Sequence, residues 1–456
     1  MTDRPRFLVV GAGITGLAAA VDLVEHGDVE VWEADPRPGG KIRTSPFGGI
    51  DRVDEAADAY LARVPHAADF AARVGVTGIT HPTDARALVW NDRMHEIPPA
   101  VLLGVPAAVI PFATSSLLSN RGKFRAALEP FLPPTDPDDS IGRLIRTRFG
   151  DEVHDRLVDA LVGSIYATDT DRASLRAVPQ LAELAARNRS LLIGGRRARQ
   201  KAAPTGPVFS APADGMGALV DAAVATIEQH GGVVRLGRAA GPIESDGDHW
   251  RVDGERFAGV VLATPAKATA HLVQAVAPES AAGLAGVEHA DVIMLRLVVP
   301  DLPDHITDRI IAGHSGYLVP KSRQRFVTAA SFASQKWAHW QPSGGGHLLR
   351  VSLGRDGLPV RHLDDDAALA AVVDDCEVHL GTTLRPTEVS ITRWFDAFPQ
   401  YRPHHHELVR RIDDALPPGI VLAGASYRGI GIPACIADGR NAARRLTIST
   451  PGDLLS

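Results

Sequence analysis

The sequence predicts an α/β protein built on a Rossmann-like parallel sheet. Three observations carry this: a β-branched run closing on a Gly-x-Gly-x-x-Gly turn, a second short strand ending on an acid, and three similar strands far down the chain. Phe7-Leu8-Val9-Val10 is the first strand, residues 11–16 are the tight turn, and residues 17–26 form a helix with apolar residues at helical spacing. Gly27-Asp28 ends that helix, and Val29-Glu30-Val31-Trp32 is the second strand, closing on Glu33. The distant strands are Gly232-Val233-Val234-Arg235-Leu236, Gly259-Val260-Val261-Leu262-Ala263 and Gly419-Ile420-Val421-Leu422-Ala423. Strands so scattered imply a discontinuous dinucleotide domain, expected over residues 1–80, 205–285 and 405–448. Residues 81–204, helical in pattern and rich in Leu and Ala, form a first insertion facing substrate or membrane. Residues 286–404, with runs such as Ile293-Met294-Leu295-Arg296-Leu297-Val298-Val299, supply a substrate-domain sheet. The two insertions together make an inserted α+β substrate domain.

Size and composition agree. The chain has 456 residues, more than one ordinary domain of roughly 100–200. Hydrophobic residues at 45% and charged residues at 22% exclude disorder and a coiled coil. A net charge of -6 gives no reason to expect nucleic acid. Two cysteines, Cys376 and Cys435, cannot staple a chain this long, so a reducing, cytoplasmic setting is expected. The opening Met1-Thr2-Asp3-Arg4-Pro5 and the short apolar run after it lack the pattern of a secretory signal. Residues 97–118 are nearly uncharged but carry Pro98, Pro99, Pro106 and Pro111, which would break a spanning helix. A buried apolar wall is expected there, and the run is also compatible with peripheral membrane contact.

The chemistry starts at Gly11-Ala12-Gly13-Ile14-Thr15-Gly16. The first glycine permits the turn, the second lets backbone approach a pyrophosphate, and the third allows close helix–strand packing. The helix N-terminus supplies free N–H groups and dipole to the anion. Glu33 can accept from ribose hydroxyls, which favours FAD or NAD over NADP. Directly after it, Ala34-Asp35-Pro36-Arg37-Pro38-Gly39-Gly40-Lys41-Ile42-Arg43-Thr44 adds a second backbone surface with cations, which suits FAD rather than NAD.

These motifs resemble the flavin amine oxidase superfamily. Further segments narrow the resemblance to its oxygen-dependent porphyrinogen oxidases, of the coproporphyrinogen III oxidase and protoporphyrinogen oxidase type. They are Leu161-Val162-Gly163-Ser164-Ile165-Tyr166-Ala167-Thr168-Asp169 with Ser174-Leu175-Arg176, Gly316-Tyr317-Leu318-Val319-Pro320, Arg393-Trp394 with Pro399-Gln400-Tyr401, and residues 423–433, Ala-Gly-Ala-Ser-Tyr-Arg-Gly-Ile-Gly-Ile-Pro. The matches span nearly the whole chain. They imply an FAD-binding domain of the amine oxidase type, with Gly11, Ala12, Gly13, Ile14, Thr15 and Gly16 at the pyrophosphate. Glu33 and Ala34 would meet the adenosine ribose, Gly40 and Lys41 the phosphates, and Val234 the adenine. Trp394, Gly424, Gly431, Ile432 and Pro433 would border the isoalloxazine. Ala56-Ala57-Asp58-Ala59 stands where the family shows a Gly-Pro-Asp-Ser-like turn, and Ser164 and Thr168 stand where glycines are common.

The resemblance implies oxidation of a porphyrinogen by flavin, re-oxidation by O2 with release of H2O2, and a place in haem synthesis before a ferrochelatase or another haem-pathway enzyme. The flavin supplies the chemistry, so no side chain is required as a catalytic acid, base or nucleophile. Substrate candidates are Tyr166 and the arginines Arg93, Arg176 and Arg428, the latter for propionates. The arginine-heavy cation content, with only six lysines, reads as a GC-rich source and favours coproporphyrinogen III over the alternative, protoporphyrinogen IX. More remote alternatives are a flavin amine oxidase and a non-catalytic flavin-fold binding protein. No metal is expected: adjacent side chains in His404-His405-His406 cannot converge on one ion in regular structure.

Overall fold

The computed structural model describes residues 4–133, 139–201 and 206–449. The expected 204/205 domain boundary lies outside the described residues. Five parallel strands run in the spatial order Val233–Arg235, Asp28–Trp32, Arg6–Val10, Gly259–Leu262 and Ile420–Leu422. Each of them overlaps a run identified from the sequence. The helix Ile14–Leu23 is the crossover between the first two chain-ordered strands, as parallel pairing requires.

Side chains alternate between the two faces of this sheet. Phe7, Val9, Val31, Val261 and Val421 belong to a core shared with the helices Ile14–Leu23, Gly217–Gln229 and Ile432–Ser449. Leu8, Val10, Trp32, Val260, Leu262 and Leu422 face a second core, closed by the antiparallel meander Ile243–Asp246, His249–Val252 and Glu255–Phe257. Gly439 lets the C-terminal helix settle onto Ile14–Leu23, since a Cβ there would stand 2.1 Å from the Thr15 carbonyl oxygen.

A second sheet of seven strands runs Glu388–Pro399, His289–Val299, His347–Leu353, Val327–Phe332, His314–Leu318, Arg86–Trp90 and Met94–Glu96. Neighbours are antiparallel except where His314–Leu318 meets Arg86–Trp90. Residues 86–96 therefore extend this sheet, although segment 81–204 reads as helical overall. Five residues ending in Val89-Trp90 are too short to show helical periodicity, and pairing with a distant strand decides their state. The helix Asp365–Leu380 packs on one face of the sheet through Ala368, Val372 and Cys376.

Burial corrects the expectation for residues 97–118. Val105, Ala107, Phe112, Leu117 and Leu118 are buried, but Val109 and Ile110 stand 57% and 77% exposed on the short helix Val109–Thr114. Six residues cannot turn every side chain inward, so the wall is buried only in part. No helix among the described residues is long and apolar enough to cross a membrane.

Two buried arginines fix how the sheets meet. Arg296 and Arg350 are cross-strand partners in the large sheet, 3% and 4% exposed. Arg296 donates to Ser45 Oγ at 2.9 Å and to the Val53 carbonyl at 3.0 Å, both on the hairpin Thr44–Phe47 and Ile50–Asp54. Arg350 donates to Asp58 at 2.7 Å and to the Ala56 carbonyl.

Candidate active site

One cavity of about 1380 Å³ runs along this seam. Its first end is built by the two glycine turns. Gly11 adopts φ +101, where an added Cβ would press on Ala263 backbone, and a Cβ at Gly16 would stand 1.9 Å from the Gly11 oxygen. Gly39 N–H donates to the Ala12 carbonyl at 2.8 Å, welding the second turn to the first. The Arg37 guanidinium braces that second turn by donating to the carbonyls of Pro38, Gly40 and Ile42. Glu33 accepts from Ala12 N–H at 2.7 Å and Asp35 N–H at 2.9 Å, which fixes its carboxylate at the cavity edge.

Gly11, Gly13, Ile14, Thr15, Glu33, Ala34, Gly40 and Lys41 all line this end. Ala12 and Gly16 stand behind it, one committed to Glu33 and the other to helix packing. Val234 is not on the wall: it pairs with Val31 in the edge strand, and Arg238, Ala239 and Ala240 line the cavity instead. The turn following the strand, rather than the strand itself, faces the cavity.

Farther along, Ala56, Ala57, Asp58, Ala59, Trp394, Gly424, Gly431 and Ile432 are lining residues. Pro433 is in the first turn of the helix Ile432–Ser449, whose N-terminus opens on the cavity through Gly431 and Ile432. Asp58 accepts from Lys336 Nζ at 2.8 Å, Arg350 at 2.7 Å and Trp337 Nε1 at 3.2 Å. Those cations hold its carboxyl well below the usual carboxylate range despite burial.

The far end is bounded by Gly163, Ser164, Ile165, Tyr166 and Ala167 and by the sheet floor of Thr328, Ser331, Ser352 and Gly354. Tyr166 is the only one of the four substrate candidates on the lining. Arg428 is committed elsewhere, its guanidinium spanning Asp413 and Asp438 beside the C-terminal helix. Arg93 sits in the turn after Arg86–Trp90, and Arg176 in the short helix Leu175–Ala177; neither lines the cavity. Lys336 and Arg350, which the motifs did not identify, are cations on the wall beside Asp58. A sequence signal for Arg350 exists: an arginine inside the apolar strand Leu348-Leu349-Arg350-Val351 must find a buried partner.

Cys435 lines the cavity with its thiol pushed up to about 11 by burial, so it stays a thiol at neutral pH. His405 stacks on Tyr401 at 4.0 Å between ring centroids, turned into the protein beside exposed His404 and His406.

The lining fits FAD. Open space lies where a Cβ at Gly13 would project, and Gly431 is nearly as free, so bare backbone faces the cavity at two helix N-termini. Lys41 lines the cavity and is exposed there, where its ammonium can meet the charge of a phosphate. Trp394 Nε1 is buried with no hydrogen-bond acceptor among the described residues.

Comparison with known proteins gives the same answer. The model of the flavin-containing amine oxidoreductases matches residues 14–447. A protein of Mycobacterium leprae named coproporphyrinogen III oxidase is 32% identical, over 96% of this chain and 97% of its own. Its namesake in Bacillus subtilis is 28% identical, over 97% and 98%. A crystal structure from Exiguobacterium sp. 255-15, provisionally named a protoporphyrinogen oxidase, superposes with a TM-score of 0.86 at 26% identity, covering 98% of this chain and 99% of that one. With FAD as its cofactor, the chain belongs to the flavin-containing amine oxidoreductase family, in its porphyrinogen oxidase branch.

Proposed function

We propose that the protein oxidises coproporphyrinogen III to coproporphyrin III in haem biosynthesis, with O2 as acceptor and H2O2 as by-product. The observation that carries this is the cavity of about 1380 Å³. A pocket for one drug-sized ligand holds roughly 300–1,000 Å³. The larger volume suits a dinucleotide and a macrocycle end to end, with glycine turns at one end and the 163–167 wall over a floor of Thr328, Ser331 and Ser352 at the other.

Bound FAD supplies hydride acceptance, and the chain supplies position and field. Gly13 and Gly40 offer backbone N–H groups to the pyrophosphate, and Lys41 offers its charge, while the Gly11 N–H is spent on the Trp32 carbonyl at 2.8 Å. Glu33 receives the ribose hydroxyls, and the N-terminus of the helix Ile432–Ser449 favours negative charge at the flavin ring. Lys336 and Arg350, both on the cavity wall, are the candidate partners for a propionate on that side. The division into a dinucleotide domain (1–80, 205–285, 405–448) and two insertions belongs to the same proposal. So do cytoplasmic residence, peripheral membrane contact and delivery of the porphyrin to a ferrochelatase. Exposed Val109, Ile110, Phe124 and Phe131 on the first insertion support the membrane contact.

The test is anaerobic mixing of FAD-loaded protein with coproporphyrinogen III and, separately, protoporphyrinogen IX. Flavin bleaching should be faster with coproporphyrinogen, and admitted oxygen should then yield porphyrin fluorescence and peroxide. Faster bleaching with protoporphyrinogen would replace the substrate, and no bleaching with either would reject the activity.

A further inference from the structure

The wall at residues 163–167 has an unusual backbone and a buried charge pair directly behind it. It follows a π-helix, His154–Gly163, whose wider turn is rare and recurs at functional sites. It ends at Ala167, a non-glycine residue at φ 46 and ψ 41 in the left-handed region. Two neighbours hold that conformation: Asp356 N–H donates to the Ala167 carbonyl at 2.9 Å, and Gln400 Nε2 donates to the same oxygen at 3.3 Å.

Behind the wall, Arg355 forms a two-pronged bond with Asp159 of the π-helix, at 2.9 and 2.7 Å, and also donates to the Thr168 carbonyl. The side chains are 1% and 0% exposed. Gly163 makes room for the guanidinium: a Cβ there would stand 2.5 Å from an Arg355 terminal nitrogen. Arg355 follows Gly354, itself on the cavity floor, so one guanidinium joins the floor to the wall.

We infer that Arg355 and Asp159 are positioning residues for substrate, holding the 163–167 wall in the shape that receives the porphyrinogen; this rests on the function proposed above. A buried ion pair is a poor means to stability alone, because apolar residues of similar volume do as well. Its planar two-pronged geometry, tied also to Thr168, instead fixes direction. Ile165 and Tyr166 are thereby presented to the cavity, while the charges remain out of reach of substrate.

The test uses holoenzyme carrying Arg355→Met with Asp159→Leu, which removes both charges together, and separately Gly163→Ala, which keeps both but displaces the guanidinium. Both variants should retain FAD and its visible spectrum. KM for coproporphyrinogen III should rise on the order of tenfold in each, with kcat within about twofold of wild type. Unchanged KM in folded, flavin-loaded variants would overturn the inference. So would failure of both variants to fold, since the pair would then serve folding alone. Wild-type enzyme that no porphyrinogen reduces would instead reject the underlying function, a distinct result.

Discussion

His379 shows how burial converts one side chain into a pH-dependent term. It lies in the last turn of the helix Asp365–Leu380, with its ring 4.3 Å from the Trp90 centroid. Tyr317 O–H stands 3.2 Å from its Nδ1. Burial lowers its pKa to about 4, outweighing nearby Asp375, while Arg325 pushes the same way as burial. The unfolded imidazole titrates near 6.5, so between that pH and about 4 the unfolded chain binds the proton and the folded chain does not. The contribution is therefore present at pH 7 and lost as pH falls through this window, by up to about 3 kcal/mol. His379→Phe should flatten the fall in melting temperature between pH 7 and pH 5. An unaltered pH slope in thermal melts of the variant would count against this account.

At the scale of elements, the turn and helix after the first strand separate two kinds of glycine. A Cβ at Gly16 collides with the Gly11 oxygen, so Gly16→Ala must displace the helix Ile14–Leu23 from the sheet. Gly13→Ala meets no protein atom within 4 Å, and its Cβ enters the space assigned to pyrophosphate. The apoprotein of Gly13→Ala should melt like wild-type apoprotein yet retain little flavin after gel filtration. Gly16→Ala should lose both, with melting lowered by several degrees, as expected for roughly 1–3 kcal/mol of overpacking. Equal flavin content in Gly13→Ala and wild type would remove Gly13 from the binding surface. These local elements were legible because strand, turn, helix and acid follow within one stretch of chain. The strands at residues 86–96 were not, since their state depends on pairing with His314–Leu318, more than two hundred residues away. Arg428 shows a related reason: it stands in a family-like segment, but Asp413 and Asp438 decide where its guanidinium goes.

For the whole molecule, the seam between the two sheets is an electrostatic joint with Asp58 at its centre. One carboxylate from the dinucleotide side meets Lys336, Trp337 and Arg350 from the large-sheet side. The turn at residues 56–59 also lines the cavity, so docking of the two sheets and cofactor retention share a support. Asp58→Asn would leave two largely buried cations without their counter-charge, a loss on the order of 3–5 kcal/mol for a buried pair. We expect a lower melting temperature and flavin release ahead of the main unfolding transition, where wild type releases flavin and unfolds together. The pH dependence separates this joint from His379. Because the Asp58 pKa is depressed, its contribution is complete above the ordinary carboxylate range and is lost only as pH falls through the depressed folded value. The deficit of Asp58→Asn relative to wild type should accordingly stay constant from pH 8 to pH 7, above the range where neighbouring Asp54, raised to about 6, takes up a proton, while the His379→Phe difference grows below that. Flavin fluorescence and far-UV circular dichroism, recorded on the same heating ramp, read both transitions. Coincident transitions in the variant, at the wild-type temperature, would mean that the two sheets are held by apolar packing and that the joint contributes nothing to retaining FAD.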